Sequence, residues 1–361
     1  MKIAQVAPLY ESVPPKLYGG TERVVSYLTE ELVNQGHDVT LYASGDSITK
    51  AKLVAPCQQA LRLDKNCIDP LAHHITMLEM INKKVHQFDI IHFHIDYLHF
   101  PLFNMFKSKT LTTLHGRLDL PDLVPLYQEF NDISLVSISH SQRKPIPWVK
   151  WIGNVYHGLP VDSYTYREDS GDYLAFIGRI SPEKRVDRAI AIAKEVGLPI
   201  RIAAKVDKVD QIYFDETIKP LLNHPLVDYL GEIGEREKIS FLGHAKALLF
   251  PIDWEEPFGL VMIESLACGT PVVAYNRGSV PEVLEHGVTG FIVQDFKEAV
   301  KAVEEVGNLS RAQCRAAFDK HFTARTMAKE YLSLYKLING FETQFTGANE
   351  LMTPDDIIYS H

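Results

Sequence analysis

The sequence alternates short β-rich apolar runs with amphipathic helical patterns, in two consecutive series. Parallel strands cannot be joined by tight turns, so helices usually connect them and cover both faces of the sheet. The alternation therefore predicts an α/β fold with parallel sheets. The predicted strands cover residues 2–7, 37–43, 89–95, 110–114 and 133–138 in the first series, and 172–177, 200–204, 227–230, 247–250, 271–274 and 289–293 in the second.

The pattern loosens over residues 145–169, where three prolines and a polar run interrupt it. We place a domain boundary there and predict two Rossmann-like, doubly wound domains, over residues 1–165 and 166–340. Residues 341–361 form a predicted C-terminal tail. Ligands of doubly wound sheets bind beyond the carboxyl ends of the strands, so we expect the functional site in the cleft between the domains.

Charge and cysteine content narrow the class of partner. A formal net charge of −9 argues against nucleic acid. Residues 1–165 carry 15 basic and 16 acidic side chains, and the remainder carries 22 and 30, so the first half is better suited to an anionic surface. No apolar run approaches the roughly 20 residues of a membrane helix. The four cysteines show no C-x-x-C or zinc spacing. These features predict a cytoplasmic protein with at most peripheral membrane contact.

The strongest motif follows the fourth predicted strand of the second series and contains Glu256 and Glu264 around a Pro-Phe-Gly turn. The amides of Phe258, Gly259 and Leu260 fall at the predicted start of a helix, where free N–H groups and the helix dipole favour a phosphate. Carboxylates beside a phosphate site commonly accept hydrogen bonds from sugar hydroxyls. The alternative is that both glutamates are solvated acids near a helix end.

A second motif places Arg179 at a strand end and Lys184 in the first turn of a helix predicted over residues 182–196. Cations are unfavourable at a helix N-terminus unless an anion compensates them, so the pair predicts a diphosphate site. The alternative is a surface arrangement in which these cations pair with Glu183 and Asp187.

Three weaker features remain. Gly19 and Gly20 form a tight turn that lets backbone amides approach an anion or serves only as a turn. His115 follows a predicted strand on the cleft side and suits either a ligand contact or a structural role. His92 and His94 share a face of a predicted strand, but no third ligand accompanies them, so a metal site is disfavoured.

Together these motifs resemble family 4 of the retaining, nucleotide-sugar-dependent glycosyltransferases (glycosyl transferases group 1), which have the GT-B architecture of two facing Rossmann-like domains. The resemblance extends over nearly the whole chain. The matching segments are residues 18–22, 114–116, 137–143, 178–184, 256–264 and 278–282. It departs at residues 154–158 and 203–205, which weakens any inference about base or acceptor contacts.

The resemblance implies that the first domain holds the acceptor and the second the nucleotide-sugar donor. Arg179 and Lys184 would bind the donor diphosphate, and Glu264 the ribose hydroxyls. Glu256 and His115 would contact the transferred sugar. The implied catalytic residues are Glu256, His115, Arg179 and Lys184, and the implied donor-binding residues are Gly19, Gly20, Arg179, Lys184, Glu256, Phe258, Gly259, Leu260 and Glu264.

The implied reaction moves a hexosyl group, with a UDP-hexose favoured over GDP- and ADP-sugars, to a hydroxyl of a saccharide, lipid-linked or small-molecule acceptor. Retention would follow same-face attack, without a cofactor or a metal ion. Two alternatives stay open: a nucleotide-sugar epimerase of the same fold, and a non-catalytic nucleotide-sugar-binding protein. A dinucleotide-dependent oxidoreductase is disfavoured because no G-x-G-x-x-G motif follows a strand.

Overall fold

The computed structural model describes residues 1–16 and 19–340, so the predicted tail and Tyr18 lie outside the described residues. The first seven strands are β1 Lys2–Val6, β2 Asp38–Tyr42, β3 Lys52–Val54, β4 Ile90–Phe93, β5 Thr110–Thr113, β6 Leu135–Ser137 and β7 Trp151–Asn154. They form one sheet in the order β3-β2-β1-β4-β5-β6-β7. Every described pair in it is parallel.

The remaining strands form a second parallel sheet. They are β8 Tyr173–Ile180, β9 Ile200–Val206, β10 Val227–Gly231, β11 Ala245–Phe250, β12 Val272–Tyr275 and β13 Gly290–Val293. Their order is β10-β9-β8-β11-β12-β13. In both sheets the strand order reverses beside the first strand of the series, as in doubly wound folds.

Helices connect the strands. The α-helices are α1 Gly20–Asn34, α2 Pro70–Asn82, α3 Phe100–Phe103, α4 Leu123–Glu129, α5 Val186–Val196, α6 Gln211–Tyr213, α7 Glu235–Gly243, α8 Leu260–Ala267, α9 Val280–Val283, α10 Phe296–Glu305, α11 Arg311–His321 and α12 Ala324–Ile338. Within the described chain, none of these helices has the length and apolarity that crossing a bilayer requires.

The prediction of two Rossmann-like domains on parallel sheets is confirmed, and each predicted strand is present within a few residues. The sequence analysis missed β3 and β7, which lie at the two edges of the first sheet. Neither carries a fully buried apolar run, because an edge strand is covered on fewer sides. Strand β8 continues to Ile180, so Arg179 lies within the strand rather than beyond it.

Each sheet is covered on both faces by apolar side chains. In the first, Met77 and Ile81 of α2 pack on one face, and Leu28 of α1 packs on the other. In the second, Ile263 of α8 belongs to one cluster and Ile190 of α5 to the opposite one. This coverage explains why most strands read as continuous apolar runs in the sequence.

The last helix, α12, returns to the first sheet. Its buried residues Met327, Tyr331 and Tyr335 belong to the same apolar cluster as Leu28 of α1. The predicted range 166–340 grouped this helix with the second domain, and the structure corrects that placement. An amphipathic pattern shows that a helix has a buried face but not which sheet covers it. The predicted boundary after residue 165 falls between β7 and β8.

Packing of α12 predicts a stability effect. We expect Met327→Ala to lower the free energy of unfolding by about 2–5 kcal/mol, because it removes buried methylene and thioether volume from a closed core. Leu337, on the same helix, is 53% exposed, and Leu337→Ala is the matched control with a change within about 0.5 kcal/mol. Urea denaturation of both variants measures the difference, and equal losses would contradict the packing of Met327.

Candidate active site

A cavity of about 580 Å³ lies between the two domains and is lined by residues of both. Its walls include the segments that follow β5, β8 and β11, as the strand-end rule for doubly wound sheets predicts. The cavity brings together all the site residues predicted from the sequence. These are Gly19, Gly20, His115, Arg179, Lys184, Glu256, Phe258, Gly259, Leu260 and Glu264.

The start of α8 is shaped by Gly259, which has a φ of 79°. This positive φ favours glycine, and a Cβ atom here would also lie 2.9 Å from Cε of Met262 and 3.1 Å from Cζ of Phe250, which would have to shift. The helix begins at Leu260, and Gly259, Leu260 and Val261 line the cavity, so the amides at the helix N-terminus lie beside it. Phe258 precedes the helix, and its side chain is buried in the core of the second domain.

The sequence predicted that Lys184 lies in the first turn of a helix. In the structure Lys184 precedes helix α5, which begins at Val186. Arg185 adopts a left-handed backbone conformation and delays the helix start by four residues relative to the prediction. The ammonium of Lys184 pairs with Oε2 of Glu256 and lies 4.8 Å from the ring centre of Trp254. The indole of Trp254 donates to the same carboxylate oxygen at 3.1 Å. Asp187 pairs with Arg185 instead.

Arg179 is surrounded by carboxylates. It pairs with Glu183, as the alternative interpretation had it, and lies 3.6 Å from Asp207 and 3.5 Å from Asp210. The pairing does not remove Arg179 from the cavity wall, where it lies with Lys205. The guanidinium is therefore held in place by acids and stays within reach of a ligand.

Glu264 is buried within an ionic cluster. Its Oε1 atom accepts from Lys238 and from Arg23 at 3.4 Å. It also lies 3.3 Å from the hydroxyl of Tyr164, whose single proton has a nearer acceptor in Oε1 of Glu235 at 2.9 Å. Arg23 and Lys238 also pair with Glu235. Burial tends to raise the pKa of Glu235, but these two cations outweigh it and lower the pKa. The interpretation of Glu264 as a solvated helix-end acid is therefore wrong.

The ring of His115 lies at the cavity wall and is held by other histidines. Its Nε2 atom is 2.9 Å from Nδ1 of His94, and the ring stacks on His157 with centres 5.2 Å apart. Burial lowers the pKa of His115 to about 3 and holds those of His94 and His157 well below the usual value. His92 and His94 do lie side by side, 3.9 Å apart, but their ring nitrogens bond to protein groups.

Several cavity residues escaped the sequence analysis, among them Arg23, Lys238, His157 and Trp254. His157 falls in the segment that departs from the usual family turn, and that departure was a usable signal. Lys238 is 6% exposed although its helix reads as polar, and nothing in the local pattern marks it. Its burial results from contact with a distant part of the chain.

The comparisons with known proteins agree with this architecture. The family model for Glycosyltransferase Family 4 matches residues 18–192, and that for Glycosyl transferases group 1 matches residues 166–320. N-acetyl-alpha-D-glucosaminyl L-malate synthase of Bacillus anthracis is 24% identical over 375 residues, covering 88% of this chain and 93% of that protein. A protein of the cps region of Klebsiella pneumoniae is 28% identical over 173 residues, and this chain spans 46% of its length.

A solved structure of HepE from Anabaena in complex with UDP and glucose has a TM-score of 0.71 at 17% identity, with 93% of this chain and 100% of that chain covered. The architecture is that of the GT-B glycosyltransferases. The chain belongs to glycosyltransferase family 4.

The buried histidines predict how stability depends on pH. The unfolded chain protonates His115 near pH 6.5, whereas the folded chain does so near pH 3, so between these values the unfolded state binds more protons. This contribution to stability is present above pH 6.5 and is lost as the pH falls. At pH 5.5 we expect His115 to account for a loss of about 1.4 kcal/mol.

Denaturation of the wild type and His115→Gln at pH 8 and pH 5.5 measures this contribution. The variant should lose about 1.4 kcal/mol less on acidification than the wild type. Identical pH dependence of the two proteins would contradict the lowered pKa of His115.

Proposed function

We propose that this chain transfers a hexosyl group from a nucleotide-diphosphate sugar to a hydroxyl acceptor, with retention of configuration. The observation that carries the proposal is the cavity itself, where two cations and the amides of α8 stand beside two buried carboxylates. The cations and amides suit a diphosphate, and the carboxylates suit sugar hydroxyls. Family membership supports the same assignment.

Among residues 1–16 and 19–340, the hydrogen bonds and ion pairs of Glu256 and Glu264 engage one oxygen of each carboxylate, which leaves the other for hydroxyl groups. The contacts of Glu264 with Lys238, Arg23 and Tyr164 all engage Oε1, and those of Glu256 engage Oε2. The second oxygen of Glu264 would accept from the ribose, and that of Glu256 from the transferred sugar. A carboxylate with a partner on one oxygen is oriented by that partner and still accepts on the other.

The diphosphate would compete with carboxylates for the cations. A phosphate group beside Lys184 offers more charge and more acceptor oxygens than Glu256 alone. Binding would therefore weaken the pair of Lys184 with Glu256 and leave that carboxylate to the donor sugar. Arg179 would stabilise the negative charge that develops on the departing diphosphate.

Retention through a covalent intermediate would need a carboxylate nucleophile. Glu256 is paired with Lys184, and Glu264 with Lys238 and Arg23, so neither is suited to attack the anomeric carbon. We therefore favour attack by the acceptor hydroxyl on the face from which the diphosphate leaves, with a donor phosphate oxygen taking the hydroxyl proton. The protein would supply orientation and charge stabilisation.

A UDP-hexose is our favoured donor, with GDP- and ADP-sugars as alternatives; the UDP complex of HepE, which shares the fold, supports this choice. The acceptor would be a saccharide, a lipid-linked sugar or a small molecule bound on the first-domain side. The four cysteines form no disulfide in the described chain, which suits the proposed cytoplasmic location with at most peripheral membrane contact.

Acceptor-dependent release of nucleoside diphosphate tests the reaction class. The transferase proposal expects release from a UDP-hexose only when an acceptor from a saccharide panel is present, with the anomeric configuration of the donor retained in the product by NMR. An altered free sugar without an acceptor would establish the epimerase alternative. Binding of nucleotide sugar without turnover of any donor or acceptor would establish the non-catalytic alternative.

The diphosphate contacts predict weakened nucleotide binding on mutation. We expect Arg179→Ala and Lys184→Ala each to cost about 1.5–3 kcal/mol of UDP binding, measured by calorimetry, because each removes a charge-assisted hydrogen bond. Lys301, which is on the surface helix α10 and outside the cavity, provides the control Lys301→Ala with unchanged affinity. Wild-type affinity in both cavity variants would remove these residues from the donor site.

Metal independence is a further expectation. The cations and amides already supply positive potential where a Mg²⁺ ion would bind, and Glu256 and Glu264 are assigned to hydroxyls. Transfer should therefore continue at an unchanged rate in excess EDTA. If transfer is lost in EDTA and recovers when Mg²⁺ is added, the proposal that cations and helix amides bind the diphosphate without a metal ion is wrong.

A further inference from the structure

A continuous hydrogen-bond chain runs from helix α12 through the first sheet to His115 at the cavity wall. Its members come from four separate parts of the chain, and Gln5 and His94 link the cavity end to helix α12. The successive distances are His115 Nε2 to His94 Nδ1 2.9 Å, His94 Nε2 to Gln5 Oε1 2.8 Å, Gln5 Nε2 to Tyr335 Oη 3.0 Å, Tyr335 Oη to His92 Nδ1 2.8 Å, His92 Nε2 to Thr113 Oγ1 2.8 Å, and Thr113 Oγ1 to Tyr331 Oη 2.9 Å.

The amide of Gln5 gives this chain a direction. Its Oε1 atom can only accept, so His94 must carry its proton on Nε2. A neutral imidazole has one N–H, which leaves a lone pair on Nδ1 of His94. His115 must therefore donate from Nε2, and its own Nδ1 atom is left with a lone pair. Burial keeps both rings neutral, because it lowers both pKa values far below 7.

The interior end of the chain agrees with this direction. The hydroxyl of Tyr335 accepts from Nε2 of Gln5, so its proton is directed to Nδ1 of His92. His92 then donates from Nε2 to Thr113. Gln5 and His92 are fully buried, so each of these polar atoms needs a partner, and the chain supplies one.

The cavity end of the chain is different. The Nδ1 atom of His115 is buried and has no hydrogen-bond partner among residues 1–16 and 19–340. An unpaired buried acceptor is costly, and the ring that carries it lines the cavity. A ligand hydroxyl is the kind of group that would satisfy it. His115 differs from His99, whose Nδ1 atom is also buried without a partner in the described residues, because of these two rings only that of His115 lines the cavity.

We propose that Gln5 and His94 are positioning residues that set the tautomer of His115, so that its Nδ1 atom accepts a hydrogen bond from a hydroxyl of the transferred sugar. The proposal rests on the proposed glycosyltransferase function. It extends that function to donor specificity. A His115 ring held in one tautomer presents a hydrogen-bond acceptor at Nδ1, which selects a transferred sugar with a hydroxyl facing that atom. A site built around one hydrogen bond discriminates strongly against analogues that lack it.

The tautomer can be observed without any enzyme assay. Long-range ¹⁵N NMR spectra of protein labelled at its histidines, assigned with His115→Gln, report which ring nitrogen carries the proton. We expect Nε2–H on His115 in the wild type. A proton on Nδ1 would mean that the chain runs in the opposite direction, and it would overturn the proposal whatever the activity of the protein.

Kinetics then separate positioning from structural support. His94→Asn places an amide oxygen near the position of Nδ1, whereas His94→Leu removes the acceptor. We expect kcat/KM of the Leu variant to fall about tenfold or more, consistent with loss of one hydrogen bond, and the Asn variant to recover part of that loss. Affinity for UDP, which lacks the transferred hexose, should stay within about twofold in both variants, a margin of about 0.4 kcal/mol.

Two further variants keep the test decisive. Gln5→Met breaks the same chain one step further from the cavity and should reproduce the loss in kcat/KM if His94→Leu does not fold. His99 is another buried histidine bonded to a threonine but lies outside the chain and the cavity lining, so His99→Leu controls for burial alone. It should leave both the His115 tautomer and kcat/KM of the folded protein unchanged.

Fluorinated donors test the direction of the sugar contact, because fluorine replaces a hydroxyl without being able to donate. At one sugar position we expect the deoxy and fluoro donors to lose kcat/KM about equally in the wild type, and this penalty to shrink in His94→Leu. Equal kinetic losses in His94→Asn and His94→Leu, or a UDP affinity that falls in step with kcat/KM, would overturn the positioning role. An absence of transfer with every donor and acceptor would instead refute the proposed function, and the NMR result would stand by itself.

Discussion

The parallel arrangement of both sheets is the constraint on which the site depends. Because all described strands of a sheet run in one direction, their carboxyl ends meet at one edge, and the two edges face each other across the cavity. Residues far apart in sequence, such as His115 after β5 and Arg179 near the end of β8, thereby reach one space. The start of α8 adds its amides at the same edge.

Within that space three of the cations discussed above lie against acids: Lys184 pairs with Glu256, Arg179 with three acids, and Lys238 with Glu264. Such pairs fix the orientation of the cationic and carboxylate side chains that a bound donor would contact. Pairing also has a cost, since a diphosphate must displace carboxylates to reach the cations.

Helix α12 connects the far end of the chain to the first domain. Its apolar face packs on the cluster around α1, and its tyrosines enter the hydrogen-bond chain that ends at His115. Helix α12 therefore supports the position of His115 at the cavity wall, although the helix does not line the cavity itself. Arg23 also connects the two domains, because this residue of α1 in the first domain forms an ion pair with Glu264 in the second domain.

The sequence by itself determined the α/β class, the two series of strands and the motifs around Arg179 and Glu264, because periodicity and turn chemistry are local properties. Only the tertiary structure decided which groups meet. Gln5 and Tyr335 are 330 positions apart, and Arg23 and Glu264 are 241 apart. A local pattern reveals that a side chain is buried, but its partner is chosen by how distant faces pack. The edge strands, the docking of α12 and the pairing of each cavity carboxylate therefore became visible only in the folded chain.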